Sequence, residues 1–152
     1  EILLLQGNKI KYAGIKNLAK SPHSTNLKHL DLWGNMIGDM GLKVLSESSF
    51  IKGLEVLKLW KNEIGDDSLE LMVKSSNFKH LNTLMLNNNM VTPVGAGYLA
   101  NPDVFPQLET LNLFRNSIGD EGALLFSHSK PFVNLTRATL RIAEFGFLGV
   151  VV

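Results

Sequence analysis

The side chains in this chain that stand at a spacing able to do chemistry are aromatic and cationic. Trp33 and Trp60 lie 27 residues apart, and Phe114 falls in the same series two periods later. Lys61 follows Trp60 and Arg115 follows Phe114, so a cation sits next to two of the three rings. Tryptophan and arginine are the residue types that dominate binding hot spots, and a ring beside a cation suits recognition of another molecule. Covalent catalysis finds no such support. The four histidines, His23, His29, His80 and His128, share no register with one another and form no His-x-x-x-His pair. There is no Gly-x-Ser-x-Gly elbow and no phosphate-cradling loop. The chain has no cysteine, which excludes a thiol nucleophile, a disulfide framework and a zinc–thiolate site.

The element that positions these residues is a repeat of 27. Asn8, Asn35, Asn62, Asn89 and Asn116 keep this spacing, as do Leu5, Leu32, Leu59, Leu86, Leu113 and Leu140. Leu27, Leu54, Leu81, Leu108 and Leu135 keep it too. A period in this range marks a solenoid, in which each unit buries its apolar face only by stacking on its neighbours. In Leu27 to Gly53, the alternation Leu30-Asp31-Leu32 predicts a short half-buried strand. Asn35 is expected to turn inward and satisfy backbone groups freed as the chain leaves that strand, giving a ladder across repeats. A helix follows, with Asp39, Asp66 and Asp120 expected at its N-cap and Thr92-Pro93 in their place in one repeat. The column Gly14, Gly41, Gly95 and Gly122, broken by Ser68, predicts close packing of helix on strand layer. The columns Leu18-Leu45-Met72-Leu99-Phe126 and Ile51-Phe78-Phe105-Phe132 read as core, the latter broken by Ser24.

The pattern Leu-x-x-Leu-x-Leu-x-x-Asn-x-Ile, in Leu27 to Ile37, Leu54 to Ile64 and Leu108 to Ile118, resembles the leucine-rich repeat family. The segments Ile37 to Gly41 and Ile118 to Gly122 are similar to its ribonuclease-inhibitor-like subfamily. The resemblance implies a right-handed α/β solenoid, a horseshoe with a parallel sheet on the concave side and helices on the convex side. It covers residues 1 to 143, and residues 1–152 are expected to form a single domain of about five full repeats plus partial terminal ones, with 144–152 as a candidate C-terminal cap. The last unit departs from the pattern, with Ala138 for a leucine and Ala143 for the ladder asparagine. The Ran GTPase-activating proteins share this repeat type, but no residue here matches their active loop.

On such a sheet the residues between the leucines face outward as columns. One reads Gln6, Trp33, Trp60, Asn87, Phe114 and Arg141; the other reads Leu4, Asp31, Lys58, Met85, Asn112 and Thr139. The rings are expected to stand substantially in solvent, with Trp33 and Trp60 as one platform and Asp31 paired to Lys58. The predicted partner-binding set is Asp31, Trp33, Lys58, Trp60, Lys61, Met85, Asn87, Asn112, Phe114 and Arg115. Arg115, Arg137 and Arg141 gather at one end, too few for a nucleic-acid stripe.

These readings favour a module that binds a protein partner without a cofactor. A structural or regulatory segment of a longer chain is the alternative, and unprotected ends of the stack make self-association possible. The net charge of +1 gives no global field for nucleic acid or an anionic membrane. No apolar stretch reaches the roughly 18 residues of a spanning helix, and Glu1 to Leu5 does not read as a signal peptide. With no cysteine, an intracellular setting is expected.

Overall fold

In the computed structural model, the described residues are 1–21, 26–128, 136–141 and 148–151. Strand and helix alternate along them: β1 (Ile2–Leu4), α1 (Lys11–Leu18), β2 (His29–Asp31), α2 (Gly38–Glu47), β3 (Val56–Lys58), α3 (Asp66–Lys74), β4 (Thr83–Met85), α4 (Pro93–Leu99), β5 (Thr110–Asn112), α5 (Gly119–His128), β6 (Arg137–Arg141) and β7 (Leu148–Val151). The strands form one sheet in sequence order. From β1 to β6 neighbours pair in parallel, and every register step is the repeat itself: Leu3 on Leu30, Leu57 on Leu84, Leu111 on Ala138. Alanine at 138 therefore leaves the pairing intact. β7 turns back and pairs antiparallel with β6. This is an α/β solenoid, as the repeat implies.

The core lies between sheet and helices. Leu30, Leu57, Leu84 and Leu111 from the strands are fully buried, as are Leu45, Met72 and Leu99 from the helices. Ile51, Phe78 and Phe105 close the far end of the layer; Phe132 and Ser24 lie outside the described residues. Among the described residues no helix is long and apolar enough to cross a membrane.

The asparagines make the expected ladder. Asn62 Oδ1 accepts from the amides of Asn35 and Ile37, while its Nδ2 donates to the carbonyls of Leu32 and Trp60. Asn35 does the same for Asn8 and Ile10, and Asn89 for Asn62 and Ile64. Asn35, Asn62 and Asn89 thus each satisfy two amides of the repeat before them. Asn35 and Asn62 are fully buried, so these bonds are made out of water, where an unmade one costs most.

Two local expectations are corrected. Asp39 does not cap α2, whose start has no side-chain cap bond. Its Oδ1 accepts instead from Gly65 N at 2.8 Å and from the Ser68 hydroxyl, in the next repeat. Asp66 likewise accepts from the amide and hydroxyl of Thr92. Thr92 does cap α4, accepting from Val94 N with Pro93 behind it. The acid column therefore joins successive helix starts. The glycine column makes room for the turn that enters each helix: a Cβ at Gly14, Gly41, Gly95 or Gly122 would crowd Ile10, Ile37, Val91 or Ile118, four residues earlier in the same repeat, and at the last two it would also meet the preceding repeat. A Cβ on Gly95 would collide with the Asp66 carboxylate, and one on Gly122 would lie 3.1 Å from Ala96 Cβ on the preceding helix. Ser68 stands in this column because its hydroxyl is used, bonding Asp39.

Candidate functional site

Strand alternation aims residues 29, 31, 56, 58, 83, 85, 110 and 112 out of the sheet face opposite the core. The pairing places Asp31 beside Lys58, Lys58 beside Met85 and Met85 beside Asn112. The aromatic column follows at the strand exits. The Trp33 and Trp60 rings stack with centroids 5.0 Å apart and planes 27° from parallel. Trp33 is 37% exposed, whereas Trp60 and Phe114 are half-buried, so the rings stand less far into solvent than expected. For the tryptophans the cause is the stack itself, since adjacent strands are close enough for one ring to cover the other. Arg115 lies over the Phe114 ring, with Cζ 5.3 Å from the centroid, while Lys61 is exposed beside Trp60.

Two predicted residues lie under this surface. Asp31 is 5% exposed and Asn87 is 6% exposed. Asp31 Oδ1 accepts from Trp33 N at 3.1 Å, and Oδ2 accepts from Gln6 Nε2 at 3.2 Å. Lys58 Nζ stands 3.6 Å from the same carboxylate, so the expected pair forms. Asn112 repeats the device, its Oδ1 accepting from Phe114 N at 2.9 Å. An acceptor two residues before a ring thus fixes the turn that carries the ring. Lys58, Met85 and Asn112 remain partly exposed on the wall.

Among the described residues, three buried side-chain atoms have no hydrogen-bond partner: Trp60 Nε1, Asn87 Oδ1 and His29 Nε2. Burial holds the His29 imidazole below its usual protonation range; Lys58 adds to this and Asp31 opposes it. Among the described residues no group of His, Asp or Glu could hold a metal ion. The side chains of Arg137 and Arg141 lie outside the described set, so only their strand, next to β5, is placed.

Sequence reasoning missed the rim where the chain leaves the strands. Met36 and Met90 are exposed there, beside Gly7 and Gly34. The signal was present: Gly7, Gly34 and Asn88 share one column, and glycine with asparagine in register marks a left-handed backbone.

Comparison with known families gives one result. A Leucine Rich repeat model matches residues 23–46 and again 106–127. These are the second repeat and the fifth, each running from before its strand into its helix. No curated protein matches the chain.

Proposed function

We propose that this leucine-rich repeat protein, a member of the ribonuclease-inhibitor-like type with helices on its convex side, is a protein–protein interaction module that engages its partner on the concave sheet wall. Leucine-rich repeats generally mediate such contacts, and the finer assignment rests on the stacked, part-exposed Trp33 and Trp60 of adjacent strands. Each ring holds the other in place, so little side-chain freedom remains to be lost on binding. Trp33, Trp60 and Phe114 act as anchors. Lys58, Lys61 and Arg115 set register, and Met85 and Asn112 complete the contact surface. Asp31 and Asn87 act from beneath, Asp31 by holding the Trp33 turn. The reading gives the protein no catalytic step, and stimulated GTP hydrolysis by an added GTPase would contradict it.

The test is affinity capture from the source cell, with the Trp33→Ala/Trp60→Ala protein as control bait, followed by affinity measurement on the captured partner. Trp60→Ala is expected to weaken binding at least about tenfold while the protein stays folded. Unchanged affinity removes the anchors.

A further inference from the structure

At the strand exits, residues 7, 34, 61, 88 and 115 share a left-handed backbone: Gly7 at φ +67°, Gly34 at +66°, Lys61 at +55°, Asn88 at +54° and Arg115 at +55°. Glycine takes this conformation freely, and asparagine is several-fold enriched in it. Lysine and arginine gain nothing from it locally. The first two repeats use glycine and leave the space open, with no atom within 4 Å of where a Gly7 Cβ would stand. Nothing in this space demands a long cationic side chain at 61, which is exposed, whereas the Arg115 side chain lies over the Phe114 ring. Two residues on, Lys9, Met36 and Glu63 are also left-handed, at +53°, +54° and +61°. A strained backbone held in register is a pointer to a binding role.

Along these two columns runs a groove of about 360 Å³, at the lower end of the size range of ligand sites. Gly7 and Gly34 expose bare backbone along it, Met36 and Met90 give it apolar walls, and Lys9 and Lys61 flank it. Neither lysine is ion-paired among the described residues, and Glu63 is the single acid in the lining. We propose that this groove docks an extended segment of the partner protein in which acidic and apolar side chains alternate. The inference deepens the reading above and rests on it, naming the chemistry of the segment beside the sheet wall. Glycines without side chains let a second main chain come close. Methionine adapts its shape to unlike apolar groups. Lys9 and Lys61 supply the charge complement that fixes register and speeds encounter.

The full chain is titrated with an acetylated, amidated heptapeptide of alternating glutamate and leucine, followed by fluorescence anisotropy and by backbone amide shifts. Binding should move the amides of Gly7, Gly34 and Lys61. Lys9→Glu/Lys61→Glu should weaken it at least about tenfold, as should replacing the peptide's glutamates by lysines. Lys61→Gly should weaken it about threefold or more while the melting temperature holds or rises, because glycine suits the left-handed backbone. The proposal falls if the basic peptide binds equally well, if the double charge reversal has no effect, or if no groove amide moves. Trp60→Ala against the captured partner separates the two ideas. Lost partner affinity with a silent groove overturns the groove alone, whereas groove shifts with partner affinity intact overturn the tryptophan anchors alone.

Discussion

The interior ladder and the concave wall follow the same 27-residue period but use it in opposite ways. Inside, identity repeats: Asn35 and Asn62 occupy equivalent places, are fully buried and make equivalent bonds. On the wall only position repeats, and Leu4, Asp31, Lys58, Met85 and Asn112 stand side by side with five different chemistries. The interior must solve one physical problem at every turn, the pairing of backbone groups out of water. Among the described residues, the wall meets that demand only at Asp31 and Asn112, which accept from the turns that carry the rings, and its other positions vary without it.

The sharpest way to break this contrast is at the ladder. Asn62→Ala strands the amides of Asn35 and Ile37 and leaves the Leu32 carbonyl with Asn35 Nδ2 as its remaining side-chain donor. We expect a loss of about 3–5 kcal/mol in urea unfolding, since each buried orphan costs about 1–3 kcal/mol. Asn8→Ala, at an exposed position whose side chain serves Leu5 and Gln6 carbonyls, should cost less than about 1 kcal/mol. Equal losses would refute the role assigned to burial.

Gly95→Ala comes next. The added methyl would displace the Asp66 carboxylate from Thr92, and about 2 kcal/mol should be lost, the usual scale of overpacking. An unperturbed variant would mean that the helix junction is loose.

On the wall, Asp31→Ala and Lys58→Met divide one ion pair unequally. Removing Asp31 leaves Trp33 N and Gln6 without their acceptor, at about 1–3 kcal/mol. Removing the better-exposed Lys58 should cost about 0–1 kcal/mol in thermal unfolding. A reversed order would place the carboxylate's role in the pair rather than in the turn.

The smallest effect is a pH slope. Because burial depresses His29 in the folded state, the unfolded chain binds more protons as pH falls below the ordinary histidine value of 6.5. The contribution is complete above that value and is lost as pH falls through the folded one. His29→Gln should flatten the stability–pH curve in that window, and an unchanged curve would assign the slope to other groups.

The parts legible in the sequence were those that repeat. The leucine columns and the asparagine ladder could be read because the same residue met the same need in each turn. Asp39 was misread as the cap of its own helix because its partners, Gly65 and Ser68, belong to the next repeat and share no local motif with it. The glycine column was seen, but its neighbour was not: the crowding side chain is the isoleucine or valine four residues earlier, in the turn that enters the helix, not a strand residue. Asp31 and Asn87 looked outward-facing by alternation, yet their neighbours cover them. Alternation gives direction, while exposure depends on the size of the side chains alongside. The rim groove depended on backbone torsions, visible in advance only through Gly7, Gly34 and Asn88.

The bonds across each junction run both ways. Ladder asparagines reach back to serve the unit before them, and Asp39 and Asp66 reach forward to serve the unit after. A unit is therefore both host and guest, and excising one leaves donors orphaned on its upstream side and a carboxylate idle on the same flank. Lengthening or shortening such an array works only when whole units are exchanged with both appendages matched, Ser68 or Thr92 to an incoming aspartate. Neighbours are thus chosen by pairing at the helix starts, not merely by their common length.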